Sequence, residues 1–246
     1  MKTMYAPPLY RIFFSVLLLV IVASVIGIVF GNAFVLQLIK LTFLSTILLF
    51  FLIRQNRVCA LLIAFFSFSF LGALFSIVGM DEVYERIFGL VGYLCLVGIT
   101  IPKFKLYKLD KIIRAYLLVV FLINTYFVYV LYGVLKAVMV DLVDVTLFAI
   151  KSMSLIVLVF VAFGVYLHTE TKQTITFLMA GMSFAFSTVL EYINFYYVYN
   201  WAFVLLGKVL FAFGIYLIIS FMIQQNKKVK QERRRDRMAR SESVFA

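Results

Sequence analysis

The stretch that decides the fold is SFAFSTVLEYINFYYVYNWAFVLLGK, residues 183–208. It begins within an apolar helix that carries Glu191 near its end. It then passes through a short uncharged aromatic turn and enters a second apolar helix that carries Lys208. A carboxylate or an ammonium in a hydrophobic span costs at least ~2.5–3.5 kcal/mol on insertion scales, so such groups usually face the bundle interior and pair. The stretch therefore predicts two adjacent membrane helices with a polar layer between them.

The composition indicates the same class for the whole chain. Of its 246 residues, 65% are hydrophobic and 14% are charged, whereas soluble domains are nearer half apolar and a quarter charged. The formal net charge is +12, but most of the basic residues fall outside the apolar segments, so membrane topology explains them and we expect no nucleic acid partner. Cys59 and Cys95 lack metal-ligand spacing, and we expect no metal site and no cofactor.

The apolar segments predict an all-α membrane protein with eight transmembrane helices, because a bilayer core of ~30 Å needs about 20 apolar residues per helix. The predicted spans are 12–30, 33–53, 58–79, 87–101, 112–134, 145–167, 174–196 and 201–223. Residues 1–224 form the transmembrane domain in this interpretation. Residues 225–246 form a basic cytoplasmic tail, which we expect to be disordered.

The distribution of Lys and Arg predicts the orientation of the spans. Eighteen of the 23 basic residues fall on the side of the two termini, and the positive-inside rule makes that side cytoplasmic. The acidic loop 80–86 and the aromatic turn 196–201 then lie outside. This pattern suits a multi-pass protein of a bacterial inner membrane. The basic tail either lies against anionic lipid or docks a cytoplasmic protein partner.

Four charged residues within the spans define a polar layer. Lys40, Lys151, Glu191 and Lys208 each lie five to seven residues below the outer end of a span, which is ~8–11 Å at 1.5 Å per residue. Asp144 precedes Lys151 by seven residues and shares nearly the same helix face. Either Glu191 pairs with one lysine while the others reach outward to the interface, or all five residues line an outward-opening cavity that binds an anionic headgroup, phosphate or carboxylate.

Other polar residues predict contacts between helices or exclude particular kinds of active site. Asn124 and Thr125 lie near the middle of the fifth span and are expected to make interhelical hydrogen bonds. The single histidine, His168, lies at the cytoplasmic end of the sixth span, away from the polar layer. A Ser-His triad and a multi-histidine metal site are therefore excluded.

Two segments resemble the YhhN-like lysoplasmalogenase family of eight-helix membrane proteins. The third span reads FSFLGALF at 68–75 and the seventh reads FAFSTVLEYIN at 184–194, where the family has patterns like F-S-L-L-G-D-x-L-L and F-L-L-S-D-x-L-L-A-x-N. Lys40 stands where the family has a T-K-P-L pattern, without its proline. The resemblance implies eight helices and a site that acts on lysoplasmalogens.

The two aspartates to which the family's hydrolysis of the vinyl-ether bond is attributed fall on Ala73 and Thr188 here. Neither side chain can act as a general acid or base. Glu191 lies one turn beyond Thr188 on the same face and is the candidate catalytic residue, whereas nothing replaces Ala73. Thr188 joins the candidate ligand-binding residues. The resemblance thus implies a diverged member with a lipid-headgroup pocket and without the family's pair of carboxylates.

Internal similarity predicts a parallel repeat of four plus four helices. The third and seventh spans share an S-F-x-F run at 67–70 and 183–186, and Lys40 and Lys151 lie at similar depths. The functions left open are a lysophospholipid or lysoplasmalogen hydrolase, a binding or transport protein for a small anion or lipid, and a structural subunit of a membrane complex.

Overall fold

The computed structural model describes residues 33–54, 60–79, 81–104, 110–138, 142–196 and 200–244, with scattered helical positions between 15 and 27. No strand occurs within these ranges. The helices are α1 (Ala33–Arg54), α2 (Ala60–Ile77), α3 (Glu82–Thr100), α4 (Lys111–Val138), α5 (Leu142–Thr169), α6 (Lys172–Tyr196) and α7 (Trp201–Val244), with a 3₁₀ turn at Ile101–Lys103.

The lengths of these helices confirm an all-helical membrane protein. Helices α2 to α7 each contain a segment long and apolar enough to cross a membrane, and α1 has a shorter apolar part at Gln37–Leu49. The first predicted span, 12–30, lies mostly outside the described residues. The total of eight spans therefore stays a prediction.

Two boundaries differ from the sequence prediction. Helix α3 begins at Glu82 rather than at residue 87. Helix α7 continues through Val244, so residues 225–244 are helical where we expected a disordered tail. The reason is local: this segment is rich in Lys, Arg, Gln and Glu, which are strong helix formers, and it contains no Gly or Pro to end the helix.

Polar side chains cap the helices at two connections. At the start of α7, the Oδ1 atom of Asn200 accepts a hydrogen bond from the backbone N–H of Ala202 at 2.9 Å. At the start of α6, the Thr171 hydroxyl accepts from the backbone N–H of Thr174 at 3.3 Å, and the Thr174 hydroxyl accepts from the N–H of Thr171 at 3.2 Å. These caps satisfy N–H groups that have no partner within the helix.

The centre of the bundle is an aromatic cluster around Phe184, which is fully buried. Its ring contacts those of Phe65 on α2, Tyr93 on α3 and Phe211 on α7, with centroids 5.6–6.0 Å apart. The most extensive helix contacts join α6 to α7 and α2 to α3. Between α6 and α7 the Ser187 hydroxyl donates to the carbonyl oxygen of Gly207 at 2.8 Å, as expected for small residues at a close helix contact.

Helix α4 lies at the periphery of the described bundle and packs mainly on α5. Most of its large side chains are exposed, which suits a helix that faces lipid. Among the described residues, the interhelical hydrogen bonds expected from Asn124 and Thr125 are not found. Asn124 donates to the carbonyl oxygen of Val120 at 2.8 Å and Thr125 to that of Phe121 at 2.9 Å. Both bonds stay within α4, because both side chains reach carbonyls one turn back.

Candidate functional site

A cavity of about 420 Å³ opens at one end of the bundle. We call this end, where α2 and α6 finish and α3, α5 and α7 begin, the cavity end. Phe65, Tyr93 and Phe211 line the cavity from the central aromatic cluster, so its inner part is apolar. The charged residues that line it are Lys40, Glu85, Arg86, Lys151, Glu191 and Lys208.

Within the described residues, three ion pairs join different helices at the cavity end. Lys40 Nζ on α1 lies 2.5 Å from Glu85 Oε1 on α3, and Lys151 Nζ on α5 lies 3.4 Å from Glu191 Oε2 on α6. Between them, Arg86 on α3 lies 3.0 Å from Asp144 on α5, measured from Nη1 to Oδ2. The pairs therefore connect α1, α3, α5 and α6 in sequence. Each is only partly withdrawn from water, which limits its contribution to stability.

Lys208 differs from these cations. It is half-buried and lines the cavity from α7, yet no carboxylate of the described chain lies within ion-pair distance of its ammonium. Four cations (Lys40, Arg86, Lys151 and Lys208) face three carboxylates (Glu85, Asp144 and Glu191) at this end. The described part of the site thus keeps one positive charge.

The structure brings together most of the residues singled out from the sequence. Lys40, Lys151, Glu191, Lys208 and Thr188 all line the cavity, although they come from four different helices. Their roles in binding or catalysis stay predictions. Asp144 lies at the edge and does not line the cavity. Its partner is Arg86 rather than Lys151, because it faces α3 across the interface between α3 and α5.

Glu85 and Arg86 are the charged residues of the cavity that the sequence reasoning missed. We had assigned both to an outer loop, because the fourth span was predicted to begin at residue 87. A signal was present: fifteen residues make a helix of only ~22 Å, too short for a ~30 Å bilayer core. Extending that span backward to Glu82 places Glu85 and Arg86 within the first two turns of α3.

The two positions where the YhhN-like pattern has aspartates lie in different surroundings. Thr188 is buried at the wall of the cavity, with 6% of its surface exposed. Ala73 is buried in the apolar core and does not line the cavity. Glu191, the candidate catalytic carboxylate, is paired with Lys151. Its neighbour Glu85 is paired with Lys40, so both carboxylates that line the cavity are in ion pairs.

The helices and their charged cavity define the class: an all-helical, multi-pass membrane protein with a polar cavity at one end of an apolar bundle. No family model, curated protein or solved structure matches the chain. The resemblance to the YhhN-like family therefore rests on the two short segments and on the predicted spans.

Proposed function

We propose that this protein binds the anionic group of a lipid or small molecule in the cavity described above. The observation that carries the proposal is Lys208, a cation that lines the cavity and has no ion-pair partner in the described chain. An unpaired charge in a membrane span is costly and usually serves a ligand or pathway. The volume, about 420 Å³, lies within the range of small-molecule sites. Its apolar inner part and charged rim suit an amphiphile.

The proposal includes a diverged relationship to the YhhN-like lysoplasmalogenases, without their hydrolysis. Protonation of a vinyl ether at carbon and activation of water both need positioned acid–base groups. Thr188 and Ala73 supply neither, and Glu191 and Glu85 are paired with lysines. We therefore expect no turnover of lysoplasmalogens or lysophospholipids by the purified protein. Turnover that Glu191→Gln abolishes would contradict this part and make Glu191 catalytic.

The membrane arrangement in this proposal is eight spans in a bacterial inner membrane with both termini cytoplasmic and the cavity end outside. One observation supports a parallel repeat of four plus four helices. The most extensive contacts join α2 to α3 and α6 to α7, and these pairs are equivalent in such a repeat. The ion pairs of Lys40 and Lys151 do not follow the repeat, because their glutamates lie on α3 and α6, which are not equivalent helices.

The binding proposal can be tested with full-length protein in phosphatidylcholine nanodiscs. The probes are phenyl phosphate, which is soluble, and phosphatidic acid added to the bilayer, so that a free phosphate ester and a lipid headgroup are distinguished. We expect saturable binding of at least one probe, reduced about tenfold or more by Lys208→Met, since a charge-assisted contact contributes about 1.5–3 kcal/mol.

Lys136→Met is the matched control for that experiment. Lys136 is exposed near the end of α4 and does not line the cavity, so its replacement removes the same charge from another place. Binding that falls equally in both variants would show a general charge effect and contradict the proposal. Flux of phenyl phosphate into proteoliposomes, lost in Lys208→Met, would extend the proposal from binding to transport.

A further inference from the structure

The two carboxylates that line the cavity are held differently. Glu85 and Lys40 are in close contact at 2.5 Å, and about 30% of each side chain is exposed (29% and 31%). Glu191 and Lys151 are 3.4 Å apart, and exposure is uneven: 68% for the Glu191 side chain and 18% for that of Lys151. The second pair thus combines a largely buried ammonium with a largely exposed carboxylate at a long distance.

A long ion pair of this kind is the easier one to exchange. Charge-assisted N–H···O bonds are usually about 2.7–2.9 Å, so the contact at 3.4 Å leaves Lys151 incompletely paired. Glu191 can turn away from Lys151 without leaving a packed position, because most of its side chain is exposed and it lines the cavity. Lys151 cannot do the same and requires an anion within the cavity.

The position of Glu191 connects two cations. It lies on α6, which packs between α5, the helix of Lys151, and α7, the helix of Lys208. All three residues line the same cavity. An anionic group that takes the place of Glu191 would contact Lys151, and one that also extends toward α7 would contact Lys208.

We infer that Glu191 is an exchangeable counter-ion, and that the site selects a doubly charged phosphate monoester over a singly charged anion. This inference rests on the proposed function and names its ligand class. When the phosphate binds, Glu191 leaves Lys151 for water, and Lys151 and Lys208 each donate to phosphate oxygens. A monoanion gains less from the second cation and displaces Glu191 less readily.

The test compares phenyl phosphate with phenyl sulfate, which has a similar shape and one negative charge. Binding is measured by calorimetry at pH 8, where the phosphate is a dianion because its second pKa is near 6. For the unmodified protein we expect phenyl phosphate to bind at least about tenfold more tightly than phenyl sulfate, because the phosphate gains one additional charge-assisted contact. Lys151→Met should reduce that preference to near one, because it weakens phenyl phosphate more than phenyl sulfate, whereas Lys208→Met should weaken both ligands.

Glu191→Gln supplies a second measurement in the opposite direction. Removal of the competing carboxylate should tighten phenyl phosphate binding by about tenfold, since a charge no longer has to be displaced. If the unmodified protein binds neither phenyl ligand nor phosphatidic acid, the proposed function fails, and the inference fails with it. If it binds phosphatidic acid alone, the proposed function stands and the inference fails. Equal binding of the two ligands, or an equal loss of both in Lys151→Met, would overturn the inference alone and leave anion binding in place.

Discussion

The two ends of the bundle use their polar residues in different ways. At the end opposite the cavity end, four threonines contribute to the lining of a smaller cavity of about 200 Å³, with Lys103 as the one charged residue of its described lining. Those hydroxyls bond locally: Thr100 donates to the carbonyl oxygen of Val97 at 3.0 Å, and Thr169 to that of Val165 at 2.7 Å. At the cavity end, the charged groups of the described residues pair between helices, and one cation among them has no partner.

This difference separates polar residues that complete a helix from those that build a site. A hydroxyl bonded to its own backbone is already satisfied and offers little to a ligand. Ion pairs between helices depend on how the helices pack. Lys208 has no ion-pair partner among the described residues, so an anionic ligand can supply the missing negative charge. The following predictions test whether the cavity end behaves as an open, cation-rich space within an otherwise packed bundle.

The largest expected effect comes from introducing the aspartates of the YhhN-like pattern one at a time. Ala73→Asp places a carboxylate in the apolar core, where only 2% of the residue is exposed, and should cost about 3–5 kcal/mol of folding stability. Thr188→Asp places it at the cavity wall beside lysines and should cost less than about 1.5 kcal/mol. Thermal unfolding in detergent measures both. Equal losses would show that the two positions do not differ as described.

The next effect concerns the ion pair between Lys40 and Glu85. Glu85→Leu leaves the ammonium without its partner and should reduce stability by about 1–2 kcal/mol, less than for a fully buried pair because both side chains are about 30% exposed (31% and 29%). Adding Lys40→Met should restore most of that loss, since no unpaired charge then remains. If the two losses simply add, the side chains do not interact.

Alanine substitutions at two glycines compare a tightly packed position with an open one. A Cβ atom at Gly214 would lie 2.7 Å from the ring of the fully buried Phe184, so Gly214→Ala should cost about 1–3 kcal/mol. A Cβ atom at Gly89 meets nothing within 4 Å and points into space beside the cavity. Gly89→Ala should therefore be neutral, or stabilising by up to about 1 kcal/mol through helix propensity. Denaturation in detergent micelles checks the order, and a reversed order would place the open space elsewhere.

The smallest effect is expected at the periphery. Asn124 is exposed on α4 and bonds only to its own helix among the described residues. Asn124→Leu should change stability by no more than about 0.5 kcal/mol, as for other surface substitutions. A loss above 2 kcal/mol would mean that this amide has a partner on another chain or helix.

The sequence predicts the helices more completely than the contacts between them. Apolar runs locate α2 and α4 to α6 within a few residues, because hydrophobic length is a local property. Helix rotation is not local, which is why Asp144 was associated with Lys151 rather than with Arg86. The polar layer could be predicted because charges in spans are rare. The part formed by Glu85 and Arg86 could not be assigned while they were counted as a loop.

The continuation of α7 teaches a related point. Charge and polarity after Gln225 indicated the end of the membrane span, but they do not indicate the end of a helix. Lys, Arg and Glu favour helix in water as well. The helix therefore continues to Val244, although the hydropathy of the sequence already falls after Gln225. A Gly or Pro near Gln225 would have been the sign of a break.

The central claim is that the cavity end is an open space with excess positive charge supplied by Lys208. The most direct measurement uses Gly89→Cys in a protein whose two native cysteines, Cys59 and Cys95, are replaced by serine. Methanethiosulfonate reagents carrying a sulfonate or a trimethylammonium group are compared, each relative to its rate with a free thiol. We predict that the anionic reagent reacts about tenfold faster, as expected for charge focusing in a cleft, and that Lys208→Met removes the preference. A faster cationic reagent, or no reaction with either, would contradict the account.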